Sequence, residues 1–208
     1  MAEKVIGVLA GGRGSNFQAI IDNVKTGNLP VKIGVLVCDQ KDAYAITRAK
    51  DAGVPFVIVE RKGFSSKADF ENQLSAELKK YDVQLVVLAG FMRLLGKDFI
   101  RTWQNRIMNI HPSLLPSFPG LHPQLQAIEY GAKISGCTVH FVDEGMDSGP
   151  IILQKAVEVF SEDTEDTLAE RILKEEHKLY PEAIKLWSEG RLGIEGRLVV
   201  KRGNSDED

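Results

Sequence analysis

The stretch VIGVLA-GGRG-SNFQAIIDNV, residues 5–24, decides the fold class. Residues 5–10 are apolar or glycine, Gly11, Gly12 and Gly14 then interrupt the run, and the apolar side chains that follow recur at helical spacing. This order predicts a strand, a glycine turn and a helix. A strand that is apolar at nearly every position is typical of a parallel sheet covered by helices on both faces.

Strand and helix signals continue to alternate, with less regularity in the second half. Further strands are predicted at residues 31–38, 56–59, 85–89, 107–110, 137–142 and 151–159, and further helices at residues 43–52, 66–81, 124–130 and from Thr164 onward. The last two strands are expected to pair antiparallel. We therefore predict an α/β fold: a single-domain, Rossmann-like open sheet over residues 1–200, mostly parallel with an antiparallel C-terminal part and helices on both faces. An acidic tail, residues 201–208, is expected to be disordered.

Composition excludes several classes of function. The 208 residues include 26 Lys and Arg and 29 Asp and Glu, and the net charge of -3 gives no reason to expect a nucleic acid partner. No apolar run approaches the ~18 to 20 residues that cross a bilayer, and no signal-peptide pattern is present, so we expect a cytoplasmic protein without a membrane partner. Cys38 and Cys137 lie in apolar runs without metal-ligand spacing, which predicts buried reduced thiols.

The glycine turn GGRGSN, residues 11–16, is predicted to bind a phosphate, because free N–H groups at a helix start bind anions. A dinucleotide pattern read from Gly12 meets Phe17 where a third small residue belongs. Asp39, at the end of the second predicted strand, would nevertheless suit the ribose of NAD. A small phosphate monoester is favoured, and an NAD-linked oxidoreductase or a non-catalytic nucleotide-binding module remains an alternative.

Two further motifs carry candidate chemistry. Asn109 and His111 share one face of a predicted strand at its carboxyl end, where ligands bind in open parallel sheets. Asp147, in the acidic turn at residues 143–149, would raise the pKa of His111 and orient it as a proton donor if the two side chains meet. The alternatives are that His111 fills a core position and that the acidic turn is solvated or holds a hard cation.

The segments NIHPSLLPSFPGLH (109–122) and GCTVHFVDEGMDSGP (136–150) resemble those of the folate-dependent formyltransferases. The segments GSN (14–16) and AGFMRLL (89–95) add to a resemblance that spans about residues 5–187. Within this family, the chain is most similar to the enzymes that act in purine synthesis. The resemblance implies transfer of the formyl group of 10-formyltetrahydrofolate to the amine of glycinamide ribonucleotide, through a tetrahedral intermediate and without a metal. The expected partners are these two small molecules, and the expected state is a monomer or homodimer.

The resemblance also implies roles for individual residues. It makes Asn109, His111 and Asp147 catalytic, with His111 as the proton donor. The residues that it places at glycinamide ribonucleotide are Gly14, Ser15, Asn16, Phe17, Gln18 and Glu176. Those that it places at formyl-folate are Lys67, Met92, Arg93, Leu94, Leu95, Asn109, Asp143, Glu144, Gly145, Met146 and Asp147. Lys67 stands where the family often has an arginine, which keeps the charge but loses the planar fork.

Overall fold

The structure of the protein, a computed structural model, describes residues 3–203. Its strands are β1 (Lys4–Ala10), β2 (Val31–Cys38), β3 (Phe56–Ile58), β4 (Leu85–Leu88), β5 (Ile107–His111), β6 (Ile134–Phe141), β7 (Ile151–Glu158), β8 (Leu192–Glu195) and β9 (Leu198–Lys201). Its helices are α1 (Ser15–Lys25), α2 (Tyr44–Ala52), α3 (Lys67–Lys80), α4 (Lys97–Thr102), α5 (Pro123–Tyr130) and α6 (Glu165–Ser188). The described residues form a seven-stranded sheet in the order β3-β2-β1-β4-β5-β6-β7 and a separate hairpin of β8 and β9.

The chain forms two compact units, of which the first ends at Asn109. In this unit β1 pairs in parallel with β2 and β4, β2 pairs with β3, and β4 pairs with the start of β5. Every residue of β4 is buried, as a strand covered on both faces requires. The carboxyl end of β1 leads through the glycine turn into α1, which carries predicted nucleotide-binding residues, and that of β4 leads into the irregular segment that carries residues 92–95.

The second unit begins at Ile110 and is built around the antiparallel pair of β6 and β7. Helix α6 packs against both strands and starts at a capping box formed by Thr164 and Thr167. It continues through Pro181 to Ser188. The hairpin of β8 and β9 is antiparallel, and β9 lies against β7.

The predicted fold class is confirmed, and the differences lie in short elements. Helix α4, a 3₁₀ turn at Arg61–Gly63 and the β8–β9 hairpin were not predicted, because elements of three to six residues are too short to show a period. Lys201 belongs to β9, although the predicted tail began at this residue; residues 204–208 of that tail lie outside the described residues. The single domain over residues 1–200 stays a prediction.

The two cysteines are buried free thiols, as predicted. Burial raises the pKa of both, that of Cys137 to about 12, so neither is a reactive thiolate at neutral pH. Among the described residues, no helix combines the length and apolar character needed to span a membrane.

Candidate active site

His111 is the last residue of β5 and is buried. Its Nε2 lies 3.0 Å from the carbonyl oxygen of Phe118, and because a carbonyl oxygen can only accept, Nε2 carries a proton in this arrangement. Its Nδ1 lies 3.5 Å from Oδ2 of Asp147. Both ring nitrogens therefore face oxygen atoms that can accept a hydrogen bond.

Asp147 lies in the turn between β6 and β7, where its backbone adopts the left-handed conformation with φ 48°. Its Oδ2 accepts a hydrogen bond of 2.9 Å from the backbone N–H of Gly120, and its Oδ1 lies 3.9 Å from Nε2 of His140. The carboxylate thus faces two imidazoles and one N–H donor. The predicted meeting of His111 and Asp147 is confirmed.

The conformation of this turn, residues 143–149, is fixed largely by its own atoms. Oδ1 of Asp143 accepts hydrogen bonds from the backbone N–H of Gly145 at 3.0 Å and from the hydroxyl of Ser148 at 2.7 Å. A side chain at Gly149 would overlap the carbonyl oxygen of Phe141. One contact comes from further along the chain: Nη2 of Arg197, between β8 and β9, donates to the carbonyl oxygen of Ser148 at 2.9 Å.

The proline-rich loop after His111 is held by Thr138 of β6. The Thr138 hydroxyl donates to the carbonyl oxygen of Ser113 at 2.6 Å and accepts from the backbone N–H of Leu115 at 3.0 Å. The Leu115–Pro116 peptide bond is cis. These contacts fix the start of the loop that brings the Phe118 carbonyl and the Gly120 N–H to His111 and Asp147.

His140 is a site residue that the sequence reasoning missed. It is buried in β6, and its Nδ1 donates to the carbonyl oxygen of Phe141 at 2.9 Å. Burial lowers its pKa, which favours the neutral imidazole. Nearly every residue of β6 is buried, so no alternation of buried and exposed positions along the strand separates His140 from its neighbours.

Asn109 precedes His111 by two positions on β5, and strand alternation puts both side chains on one face. Its backbone is opposite Leu88 in the parallel pairing with β4. Asn109 is only half-buried, whereas the flanking strand residues are buried. Asn109 is thus the least covered residue of β5.

The glycine turn leads into α1 through Gly14, whose φ of 68° is left-handed. Gln18 is part of a network in which its Oε1 accepts from Nη1 of Arg48 at 2.8 Å, while Nε of Arg48 donates to the carbonyl oxygen of Arg13 at 2.9 Å. Phe17 is fully buried, so it can offer a ligand only backbone groups. Arg48, which the sequence reasoning missed, places a positive charge beside this turn.

Asp39, which the sequence offered as a ribose ligand for NAD, is buried and accepts a hydrogen bond from Nε of Arg93. Its carboxylate is therefore engaged within the protein, which disfavours the oxidoreductase alternative. Lys67 lies at the first turn of α3 with its ammonium group 3.7 Å from Oε1 of Glu71. Met92 and Leu94 are exposed.

Glu176 is buried on the apolar face of α6. Burial is the main cause of the raised pKa of Cys137, and the negative charge of Glu176 is the next one, so the carboxylate lies near that thiol. The residues Asp143, Glu144, Gly145 and Met146 precede Asp147 in the β6–β7 turn, where Met146 is exposed.

Comparisons with known proteins agree with this geometry. Residues 4–184 match the family described as "Formyl transferase". The chain is 46% identical over 182 residues to the phosphoribosylglycinamide formyltransferase of Bacillus subtilis, covering 88% of this chain and 93% of the relative. It is 42% identical over 185 residues to the enzyme of that name from Escherichia coli, with 89% and 87% covered.

A solved structure extends the match to the fold. The crystal structure of glycinamide ribonucleotide transformylase 1 from Symbiobacterium toebii superposes with a TM-score of 0.95 and 50% sequence identity, covering 97% of this chain and 95% of that one. On the family match, the sequence identities and the shared fold together, the chain belongs to the formyl transferase family.

Proposed function

We propose that this chain is an enzyme that transfers the formyl group of 10-formyltetrahydrofolate to the amine of glycinamide ribonucleotide, a step of purine synthesis. The observation that carries the proposal is the buried His111, whose two ring nitrogens face the Phe118 carbonyl and the Asp147 carboxylate in a chain of this family. The named relatives, which are phosphoribosylglycinamide formyltransferases at 42% and 46% identity, support the choice of substrates.

The reaction needs groups that stabilise negative charge on the formyl oxygen. The amine of the nucleotide attacks the formyl carbon, a C–N bond forms, and a tetrahedral intermediate carries the charge on oxygen. In the proposal the protonated ring of His111 and the side-chain amide of Asn109 donate hydrogen bonds to that oxygen. Asp147 keeps the ring protonated and fixes its orientation.

Collapse of the intermediate breaks the bond between the formyl carbon and the folate nitrogen. That nitrogen takes up one proton, and the attacking amine loses one, so the overall transfer is proton-neutral. Asp147 can pass the surplus proton through a water molecule. The chemistry requires no metal, because proton transfer alone releases an aryl amine.

The Phe118 carbonyl bears on how the formyl group binds. It lies 3.0 Å from Nε2 of His111, the nitrogen that would donate to the formyl oxygen. The proposal therefore requires this carbonyl to move aside, or to share the proton, when the formyl group is bound. Until then it holds the ring in the orientation that donation needs.

Substrate contacts follow from the family resemblance. Residues 14–18 would bind the phosphate and ribose of the nucleotide, since the start of α1 presents backbone N–H groups and glycine adds no side chain. Glu176 would bind the glycinamide end. Residues 92–95 and 143–147 would line the folate site. We place the reaction in the cytoplasm, with a monomer or homodimer as the active form.

A direct assay tests the proposal. Purified protein is mixed with 10-formyltetrahydrofolate and glycinamide ribonucleotide, and the loss of formyl-folate absorbance is followed. We expect turnover that requires both substrates. Folded protein that shows no turnover would contradict the proposal, and quenching of NADH fluorescence on binding would favour the oxidoreductase alternative instead.

A further inference from the structure

The segment between β4 and α4, residues 89–96, has no regular structure and yet is held by hydrogen bonds at its start, in its middle and at its end. At its start the carbonyl oxygen of Gly90 accepts a hydrogen bond of 3.1 Å from the backbone N–H of Gly11. In its middle Nε of Arg93 donates to Oδ2 of Asp39, 54 residues away in the chain. At its end the backbone N–H of Gly96 donates to Oε1 of Glu71 at 2.8 Å. We call residues 89–96 the β4–α4 segment.

Asp39, which holds the middle of the β4–α4 segment, is only 5% exposed. It follows β2 directly, and the glycine turn leaves room for its carboxylate, because a side chain at Gly11 would overlap Oδ1. The guanidinium of Arg93 also lies 5.9 Å from the centroid of the buried Phe70 ring. A buried carboxylate on one side and an aromatic ring on the other fix the direction of Arg93.

Glu71, which holds the end of the segment, is 6% exposed although it lies on the helix α3. A side chain at Gly96 would come within 2.6 Å of its Oε2, so this glycine too makes room for a carboxylate. Lys67, one turn earlier in α3, lies 3.7 Å from Oε1. Lys67, which the family resemblance places at formyl-folate, thus also pairs with Glu71, the carboxylate that holds Gly96.

Between these fixed points, apolar side chains project into solvent. Met92 is 84% exposed and Leu94 is 65% exposed, on either side of the fixed Arg93. Exposed apolar side chains on a segment that is already ordered lose little entropy when a flat ring system binds against them. Asp39 and Glu71 do not reach into solvent themselves, so their contribution to binding is indirect.

We propose that Asp39 and Glu71 are positioning residues for formyl-folate: the two buried carboxylates hold the β4–α4 segment in the conformation that presents Met92 and Leu94 to the ring system of the ligand. The inference rests on the proposed function, because it assumes that residues 92–95 line the folate site. It extends that function to two residues that touch no ligand, and it accounts for the acidic residue at the end of β2 without a dinucleotide.

The test is direct titration of 10-formyltetrahydrofolate by isothermal calorimetry, without nucleotide, beside steady-state kinetics. Asp39→Ala should raise the dissociation constant for formyl-folate about 10- to 100-fold, as loss of a residue that orients a ligand contact does. Asp39→Asn should raise it less, because an amide oxygen still accepts from Arg93, and Glu71→Gln should resemble Asp39→Asn. The KM for glycinamide ribonucleotide should stay near the wild-type value in all three variants.

The matched control is Asp163→Asn. Asp163 lies in the loop before α6 and pairs with Arg171 of that helix. Its side chain is 3% exposed, which is similar to Asp39, and it is not one of the predicted site residues. It should lower the melting temperature without changing the affinity for formyl-folate. The shape-preserving Asp39→Asn variant keeps the test valid if Asp39→Ala does not fold.

Three outcomes would overturn the inference. One is wild-type affinity for formyl-folate in folded Asp39→Ala and Glu71→Gln proteins. Another is an equal loss of affinity for both substrates, and the third is an equal loss in the Asp163→Asn control. In each of these cases a wild-type protein that still binds formyl-folate and transfers its formyl group leaves the proposed function standing. A wild-type protein that does neither overturns the proposed function, and the inference with it.

Discussion

The β4–α4 segment and the β6–β7 turn are both irregular and both carry predicted folate residues, but they are held in different ways. Carboxylates from distant parts of the chain, Asp39 and Glu71, fix the segment. The turn is fixed mainly from within, by Asp143 and by the close approach of Gly149 to the Phe141 carbonyl. The conformation of the β4–α4 segment can therefore be disturbed by a substitution far away in sequence, whereas that of the β6–β7 turn depends mainly on residues in or next to the turn.

The largest expected effect follows from removing the carboxylate of Asp147, which the β6–β7 turn places next to His111. Asp147→Asn should lower kcat about 100- to 1000-fold, the usual cost of losing one oxyanion donor, because the carboxylate that faces Nδ1 of His111, the proposed donor, is then lost. The KM for glycinamide ribonucleotide should change little, as measured by steady-state kinetics. Equal losses in kcat and in nucleotide affinity would contradict the assigned role. The control is Asp166→Asn, an exposed carboxylate in the first turn of α6.

A substitution at Gly149 should also disturb the conformation of the β6–β7 turn. In Gly149→Ala the added methyl group overlaps the Phe141 carbonyl oxygen, so the free energy of unfolding should fall by about 1–3 kcal/mol and activity should fall with it. Urea unfolding measures the first quantity. At Gly63, by contrast, an added Cβ meets no atom of the described residues within 4 Å. Gly63→Ala should therefore stay within about 0.5 kcal/mol of the wild type, and a matching loss there would refute the argument from close approach.

The loop between β7 and α6 is held by a carboxylate and an arginine, Asp163 and Arg171, but carries no predicted site residue. Hydrogen bonds from Arg171 lower the pKa of Asp163 well below its usual range. A carboxylate with a lowered pKa stabilises the fold above its unfolded pKa of about 4 and loses that contribution as the pH falls. Asp163→Asn should thus cost about 1 kcal/mol at pH 7, and the difference from wild type should shrink below about pH 4. Urea unfolding at pH 7 and pH 3 checks this; a constant difference would contradict it.

The smallest expected effect concerns the contact between the β6–β7 turn and the β8–β9 hairpin. Arg197→Ala removes the exposed hydrogen bond to the Ser148 carbonyl, which contributes about 0.5 kcal/mol, so kcat should fall about two- to threefold. Arg197→Lys should retain part of the activity. Lys201→Ala, which removes a positive charge from the same hairpin, serves as the control. Unchanged kcat in Arg197→Ala would show that the turn needs no support from the hairpin.

Sequence reasoning succeeded where the signal is periodic or local. The order of strands and helices, the buried cysteines and the place of His111 at a strand end were all predicted. It failed for α4, whose six residues show no period, and for His140, whose neighbours in β6 are equally buried. Asp39 supported the NAD alternative because the sequence does not show that Arg93 occupies its carboxylate.

The sequence by itself determined the α/β class and the family, because apolar periodicity and motif spacing depend on neighbouring residues. Only the tertiary structure decided which side chains meet. His111 faces Asp147, and Arg93 faces Asp39, because strand pairing and turn conformation bring distant residues within hydrogen-bond range. Such contacts depend on the positions of whole elements. No local pattern encodes these positions, so the partner of each charged residue could be read only from the folded chain.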